Sequence, residues 1–283
     1  MEVILIHLDE LKEQGVRFLP IAPAALAALD APPSKNGLPR ISPQPQLAPV
    51  AALPRAGAIA TLDPPSIDAE VSIHPKSKAT AMSELRERAL ACQKCPHLVR
   101  SRRNVVFGVG DIDSPLMFVG EAPGADEDQQ GEPFVGAAGQ LLTRIIRAMG
   151  FSRETVYIAN ILKCRPDTPA QNFGNRKPTP EEMNTCLPYL LAQIDLIQPK
   201  VIVALGATSV EGLLGLKEGI SRLRGRFQDF RGTPVMPTFH PSYLLRNEAL
   251  SVKRQVWEDM LQVLEKLAVP ITEKQRNYFL KAS

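Results

Sequence analysis

Long hydrophobic runs and a strong net charge are both missing from this chain. The apolar run Val201–Leu205 has five residues and no run in the chain exceeds six, whereas a helix needs about 20 to span a bilayer. Residues 1–13 mix acids with apolar side chains and show no cleavable signal pattern. We therefore expect a cytoplasmic protein with no membrane partner. The net charge of +3 neither requires nor excludes a polyanionic ligand, so local clusters of charge must decide that point.

Cysteine is scarce, and its four positions carry information. Cys92 and Cys95 form a C-x-x-C pair, while Cys164 and Cys186 stand alone. A reducing compartment disfavours disulfides, so a metal site is the better interpretation, with buried structural cysteines as the alternative. The spacing differs from that of a zinc ribbon and suits an iron–sulfur cubane held by four thiolates. Zinc stays open at this point.

Proline divides the chain. Twelve of its 26 prolines fall between Pro20 and Pro75, among Ala, Ser and Gln, a composition that cannot build a packed core. We predict a largely disordered extension over residues 1–80, a globular domain over 81–270 and a C-terminal tail over 271–283. The extension is typical of a spacer, and the alternative is a docking peptide for a protein partner.

The fold predicted for the globular domain is α/β. Four short apolar runs, at 116–119, 156–162, 201–205 and 235–239, are typical of buried strands. Amphipathic patterns predict helices between and around them, at 83–91 with Ser83 as N-cap, 140–149, 180–197 and 252–267. Strands alternating with helices indicate a four-stranded, mostly parallel sheet that is covered on both faces.

Polar motifs follow three of the predicted strands. GEAPG (120–124) follows the first strand, Asn160 lies late in the second, and His240 follows the fourth. Ligands of such folds bind at the carboxyl ends of the strands. The three motifs together predict a binding site at that edge.

In combination these motifs resemble the family 4 uracil-DNA glycosylases, the thermostable type with an iron–sulfur cluster. The matching stretches cover roughly residues 83–268, and they are CQKCPHLVRSRRNVVFGVGD (92–111), FVGEAPGADEDQQGEPFVGAAGQLL (118–142), YIANILKCRP (157–166), VIVALGATS (201–209) and TFHPSYLLR (238–246). The resemblance implies a three-layer αβα sandwich, a [4Fe–4S] cluster on the four cysteines, and excision of uracil from single- or double-stranded DNA by a monomer. The extension and a longer loop at 167–177 depart from the family.

Excision requires a flipped-out base, so the motif residues are candidates for holding one. Phe134 would stack on uracil, although a core phenylalanine is the alternative. Asn160 would pair with uracil O4 and N3–H, which cytosine cannot satisfy, and a turn-capping asparagine is the alternative. His240 would donate a hydrogen bond to O2, and Ala122 belongs to the same uracil-binding set.

Carboxylates and cations supply the remaining candidates. Glu121 and Glu127 are the candidate catalytic carboxylates. The resemblance implies that Glu127 lies near the attacking water and the C5 edge of uracil, whereas Glu121 either orients the loop or shares the catalytic work. Leu244 or Leu245 would wedge into the gap left by the base, and Arg246 would meet a phosphate. Two arginine clusters supply positive charge that could bind DNA, although either cluster alone is typical of a solvated face. The first comprises Arg100, Arg102 and Arg103, and the second comprises Arg222, Arg224, Arg226 and Arg231.

We therefore predict a monofunctional uracil-DNA glycosylase that acts in base excision repair. No lysine lies in the pocket motifs, so lyase activity is not expected, and no histidine occurs in residues 210–233 that could bond covalently to the abasic sugar. Two alternatives are a non-catalytic iron–sulfur module, DNA-binding or polymerase-associated, and a nucleoside or nucleotide hydrolase of similar fold.

Overall fold

A computed structural model describes residues 77–166 and 176–280 of the chain. Three predicted segments lie wholly or partly outside the described residues: most of the extension, most of the loop at 167–177 and the end of the tail. Within the described ranges, no helix has both the length and the apolar character that a membrane span requires.

Ten helices and six strands alternate along these described residues. The helices are α1 (Lys78–Leu90), α2 (Pro96–Ser101), α3 (Ala125–Gln130), α4 (Ala137–Ala148), α5 (Pro180–Ile197), α6 (Ala207–Leu214), α7 (Ile220–Leu223), α8 (Pro241–Arg246), α9 (Leu250–Lys266) and α10 (Glu273–Arg276). The strands are β1 (Val109–Gly110), β2 (Leu116–Gly120), β3 (Tyr157–Asn160), β4 (Val201–Leu205), β5 (Gln228–Phe230) and β6 (Thr233–Thr238).

The six strands form one sheet in the order β1-β3-β2-β4-β6-β5. The inner four strands are parallel, as predicted, and the short edge strands β1 and β5 pair antiparallel to their neighbours. The prediction of four strands was therefore two short. β1 has two residues and β5 reads Gln-Asp-Phe, so neither contains the apolar run that marks a buried strand.

Helices cover both faces of the sheet. Successive side chains of a strand point to opposite faces, and here Met117 and Val119 belong to one core with α1, α5 and α6. Leu116 and Phe118 belong to a second core with α4 and α9. Both cores are built from residues that are almost fully removed from water. The three-layer αβα sandwich is thereby confirmed.

The helix boundaries agree with the sequence where a cap is strong. α5 begins after Thr179, whose hydroxyl accepts from the backbone N–H of Glu182 while the Glu182 carboxylate accepts from the N–H of Thr179, which is the capping box. The predicted start of α1 was wrong. Ser77, not Ser83, is its N-cap, because Ser77 accepts from the Thr80 N–H and the helix runs through Ser83.

The C-terminal residues of the described range pack against the sandwich. The Gln275 amide donates to the carbonyl oxygen of Ala148 at 2.9 Å, and the Tyr278 ring lies edge-on to Trp257 at 5.1 Å. The sequence predicted a tail from residue 271, whereas α10 and Tyr278 contact α4 and α9.

Candidate active site

A cavity of about 560 Å³ opens at the carboxyl ends of the parallel strands. It brings together the polar motifs that follow β2, β3 and β6. Its walls are Glu121, Ala122, Pro123, Gly124, Glu127, Phe134, Ala138, Asn160, Pro166, Arg176, Gly206, Ala207, Thr208, His240, Ser242 and Arg246. All seven residues that were predicted to bind uracil, to catalyse the reaction or to bind a phosphate through a cation line this one cavity, as the strand topology requires.

Phe134 forms one wall of the cavity in an unusual conformation. Its φ is 56°, a left-handed value that costs a non-glycine residue roughly 1–3 kcal/mol. Two glycines allow the fit: a Cβ on Gly120 would lie 2.4 Å from the ring, and one on Gly139 would lie 1.9 Å from the Phe134 carbonyl. The ring centroid is 5.7 Å from that of His240. Phe134 is buried among the residues of the second core, and it also lines the cavity, so both the core position and the cavity-wall position expected from the sequence are met by one side chain.

Asn160 ends β3 beside Gly120, its register partner on β2. Its side chain is only 2% exposed, and Oδ1 is the one buried side-chain oxygen or nitrogen of the described residues that lacks a hydrogen-bond partner. Such an acceptor costs about 1–3 kcal/mol when left unpaired. A buried amide oxygen at the wall of a cavity is therefore available to a donor on a ligand.

His240 follows β6 as the N-cap of α8. The Ser242 backbone N–H donates to Nδ1 at 3.1 Å, and the Ser242 hydroxyl lies 2.8 Å from the same atom. A neutral ring with Nδ1 as acceptor carries its proton on Nε2. Burial, with the Arg246 charge second, lowers the pKa of His240 to about 4, so the ring is neutral at pH 7 and Nε2–H is a donor.

The two cavity carboxylates differ in their partners. One Glu127 oxygen accepts from the N–H groups of Val135 and Gly136 at 2.9 Å each, and the other accepts from Gly124 at 3.0 Å. Glu127 therefore ties the GEAPG loop to the turn after Phe134. The Glu121 side chain accepts no hydrogen bond from the part of the chain that the structure describes, and it is partly exposed.

Helix α8, which begins directly after His240, carries the three predicted DNA contacts and separates them. Leu244 is 5% exposed and packs with Phe239 and Val256, whereas Leu245 is 41% exposed and Arg246 is exposed at the cavity wall. Of the two leucines left open by the sequence, only Leu245 is free to enter a duplex. Two arginines of the predicted basic clusters have internal partners: Arg102 binds Cys164 and the Cys92 carbonyl, and Arg224 binds Asp259.

The four cysteines come from three separate segments and carry no disulfide. Cys164 and Cys186 are buried in one apolar cluster with Leu98, Val105 and Leu162, and Cys95 packs against it. Burial raises the pKa of Cys95, of Cys164 and of Cys186, the last to about 12, and Cys92 lies near enough to contribute to each increase. The raised pKa values of Cys95, Cys164 and Cys186 favour the neutral thiols, and a bound metal would hold these three as thiolates.

The donor set fits a multi-iron cluster better than a single ion. No three His, Cys, Asp or Glu side chains of the described ranges lie close enough to share one ion, whereas in a cubane each thiolate binds a different iron. Two donors already face the sulfurs: the Arg102 guanidinium lies 3.1 Å from Cys164 Sγ, and the Lys163 N–H lies 3.2 Å from Cys186 Sγ. Such donors stabilise thiolate ligands.

An ion-pair network between cavity and cysteines was not predicted. The Arg176 guanidinium binds both oxygens of Glu182, at 2.6 and 2.8 Å, and His97 Nε2 lies 2.6 Å from Glu182 Oε1. Burial opposes ionisation, but these hydrogen bonds prevail and lower the pKa of Glu182 to about 2. The signal in the sequence was the capping pattern T-x-x-E at Thr179.

Comparison with known proteins gives consistent similarities. The profile of the Uracil DNA glycosylase superfamily matches residues 107–261. A Type-4 uracil-DNA glycosylase of Thermotoga maritima is 50% identical over 182 residues, which are 63% of this chain and 91% of that protein. Proteins of the same description from Sulfurisphaera tokodaii (37% identical, 71% of this chain and 90% of that protein) and Archaeoglobus fulgidus (40%, 58% and 83%) are also similar.

Proposed function

The chain belongs to the type-4 branch of the uracil DNA glycosylase superfamily, and we propose that it hydrolyses the N-glycosidic bond of uracil in DNA. The product is an abasic site, which is the first intermediate of base excision repair. The observation that carries the proposal is the unpartnered Oδ1 of Asn160, buried at the wall of a cavity that also holds Phe134 and His240.

Base recognition follows from the chemistry of these three side chains. Asn160 Oδ1 accepts from uracil N3–H, and the amide N–H of the same side chain donates to O4. Cytosine carries an acceptor at N3 and a donor at C4, so it would leave both groups of Asn160 unpaired in a buried site. The Phe134 ring stacks on the base, and Ala122 contributes the backbone-lined wall beside Glu121.

Bond cleavage requires stabilising a sugar cation and a uracil anion. The Nε2–H of neutral His240 donates to O2, where negative charge develops as the bond to C1′ breaks. Glu127, fixed by three N–H groups, places its carboxylate near the sugar cation. The water-orienting role that the resemblance implies for Glu127 passes to Glu121, whose side chain accepts no hydrogen bond from the described residues. Glu121 orients water and takes its proton as the water oxygen bonds to C1′, and the departing anion takes up a proton from solvent.

The DNA contacts divide along helix α8. Leu245 enters the space left by the flipped base, Arg246 binds a backbone phosphate, and Leu244 anchors the helix in the core. We assign the exposed side chains of the basic clusters to non-specific phosphate binding, so affinity should fall as salt rises.

Cys92, Cys95, Cys164 and Cys186 would hold a [4Fe–4S] cluster. When bound, it supplies a covalent cross-link among three segments, and the hydrolysis needs no electron transfer. We further propose a monomer in the cytoplasm, with residues 1–80 as a spacer or as the docking site of a protein partner.

The proposal is tested by uracil release from a single- and a double-stranded oligonucleotide with one uracil. We expect release by the wild type, strong slowing by Glu127→Ala, and visible iron–sulfur absorbance in both proteins. The absence of release would leave the non-catalytic iron–sulfur module as the better interpretation. Release from free deoxyuridine monophosphate but not from DNA would instead identify a nucleotide hydrolase.

A further inference from the structure

Arg153 lies outside the cavity and donates hydrogen bonds to the backbone of the turn that carries Phe134. Its Nη1 donates to the Phe134 carbonyl oxygen at 2.9 Å, and its Nη2 donates to the Pro133 carbonyl oxygen at 2.7 Å. Its remaining contact is with the hydroxyl of Thr143 on α4, 3.5 Å from Nη1. The two guanidinium N–H groups of this half-buried arginine are used on two consecutive carbonyls. Glu132, Glu154 and Glu127 lie near enough to act on its charge, but none of them forms an ion pair with it among the described residues.

The turn needs such a partner because its conformation is unfavourable. Phe134 is held at a φ of 56°, where a side chain other than glycine is strained. α4 supports the turn from one side, since Gly139 lies directly against the Phe134 carbonyl. Arg153 supports it through both carbonyl oxygens. Between them they fix the direction in which the Phe134 ring leaves the backbone.

We infer that Arg153 is a positioning residue for base recognition, acting through Phe134. The inference rests on the proposed function, in which the ring stacks on uracil. The ring itself has no hydrogen-bonding group, so its place over Gly120 and 5.7 Å from the His240 ring depends on its backbone. Loss of the two hydrogen bonds from Arg153 would let the turn relax and would move the Phe134 ring away from the base.

Arginine has a geometric advantage at this place that lysine lacks. The planar guanidinium presents two N–H donors side by side, which match two neighbouring carbonyl oxygens, whereas an ammonium is a single point of charge. Arg153→Lys therefore keeps the charge and loses the fork. Arg144→Lys is the matched control, because Arg144 is an exposed arginine on α4.

The test measures single-turnover uracil excision by the full-length, iron-loaded protein, and the inhibition constant of free uracil. We expect Arg153→Lys to slow excision at least about tenfold and to weaken inhibition by uracil, because small misplacements of a positioned group cost up to about 100-fold. Binding to uracil-free duplex should stay unchanged, and Arg144→Lys should match the wild type in all three measurements. In a Phe134→Ala background, Arg153→Lys should change the rate less than about twofold, because its only route to the base is gone.

Several outcomes would overturn the inference. One is an Arg153→Lys protein with the excision rate and uracil inhibition of Arg144→Lys. Another is an equal slowing by Arg153→Lys with and without the Phe134 ring. If Arg153→Lys does not fold, Arg153→Ala assayed with and without millimolar guanidinium replaces it, and rescue supports positioning. Failure of both variants to fold makes Arg153 a folding residue and overturns the inference, whereas a wild type without activity refutes the proposed function instead.

Discussion

Replacing Asn160 by alanine should separate function from stability. Most buried polar side chains lose stability when they are truncated, because they leave a partner unpaired. Asn160 Oδ1 has no partner among the described residues, so its removal relieves a burial cost of about 1–3 kcal/mol. The truncated side chain faces a cavity of about 560 Å³, which water can fill. We therefore expect the free energy of unfolding to change by less than about 1 kcal/mol.

The same change should abolish base recognition. Two hydrogen bonds to uracil would be lost, and two groups of the flipped base would stay unpaired in a buried site. At about 1.5 kcal/mol for each, the loss is about 3 kcal/mol, which corresponds to roughly 100-fold in rate. Single-turnover excision from a uracil oligonucleotide measures this rate, and urea unfolding of the same preparations measures stability.

Asn104→Ala is the control with the opposite expectation. The Asn104 amide donates to the carbonyl oxygens of Asp128 and Gln129, at 2.8 and 3.2 Å, away from the cavity. Its truncation should lower the free energy of unfolding by about 1 kcal/mol and leave excision unchanged. The reasoning is refuted if Asn160→Ala unfolds more easily than Asn104→Ala, or if it excises uracil at the wild-type rate.

Three further perturbations have defined outcomes. The folded-state pKa of His240 is lowered to about 4 from its usual 6.5. The neutral buried ring therefore contributes fully to the free energy of unfolding above pH 6.5, and this contribution is lost as pH falls through 4. Urea unfolding at pH 7 and at pH 5 should show a loss of stability in the wild type and a smaller loss in His240→Gln. Cys186→Ala should remove the visible iron–sulfur absorbance and lower the thermal midpoint, and an unchanged spectrum would exclude Cys186 as a ligand. Arg224→Gln should destabilise the protein by about 3–5 kcal/mol at pH 8, because it leaves Asp259 buried without its cation. Burial raises the pKa of Asp259 to about 6, so protonation should recover much of that loss at pH 5, and equal losses at both pH values would contradict this account.

The fold was predictable where apolar side chains form runs or recur at regular intervals along the chain. The four inner strands and α5 follow from apolar runs and from a capping box, both of which are local. β6 was located from its apolar run at 235–239 although it contains Pro237, and in the structure Pro237 lies beyond the stretch that pairs with β5. The edge strands escaped prediction because pairing with a neighbour, not their own residues, makes them strands.

The site was predictable as a list of residues but not as a set of contacts. Asn160, Phe134 and His240 were named from motifs, and the parallel topology brings them together. Nothing in the motifs indicated that both oxygens of Glu127 are bonded to backbone N–H groups, or that Leu244 is buried while Leu245 is not. Arg153 was missed for the same reason, because its two partners lie 19 and 20 residues away in the chain.

The register pair of Gly120 and Asn160 sets the width of the proposed base site at its inner end. These residues face each other across β2 and β3, strands whose separation of about 4.8 Å is fixed by backbone hydrogen bonds. A single carbon atom added at Gly120 would occupy the space of both the Phe134 ring and Asn160 Oδ1. Rotamer changes cannot enlarge this end of the site, because its width is a property of the sheet. Selection for the excision of larger bases must therefore act on the loops at the cavity mouth.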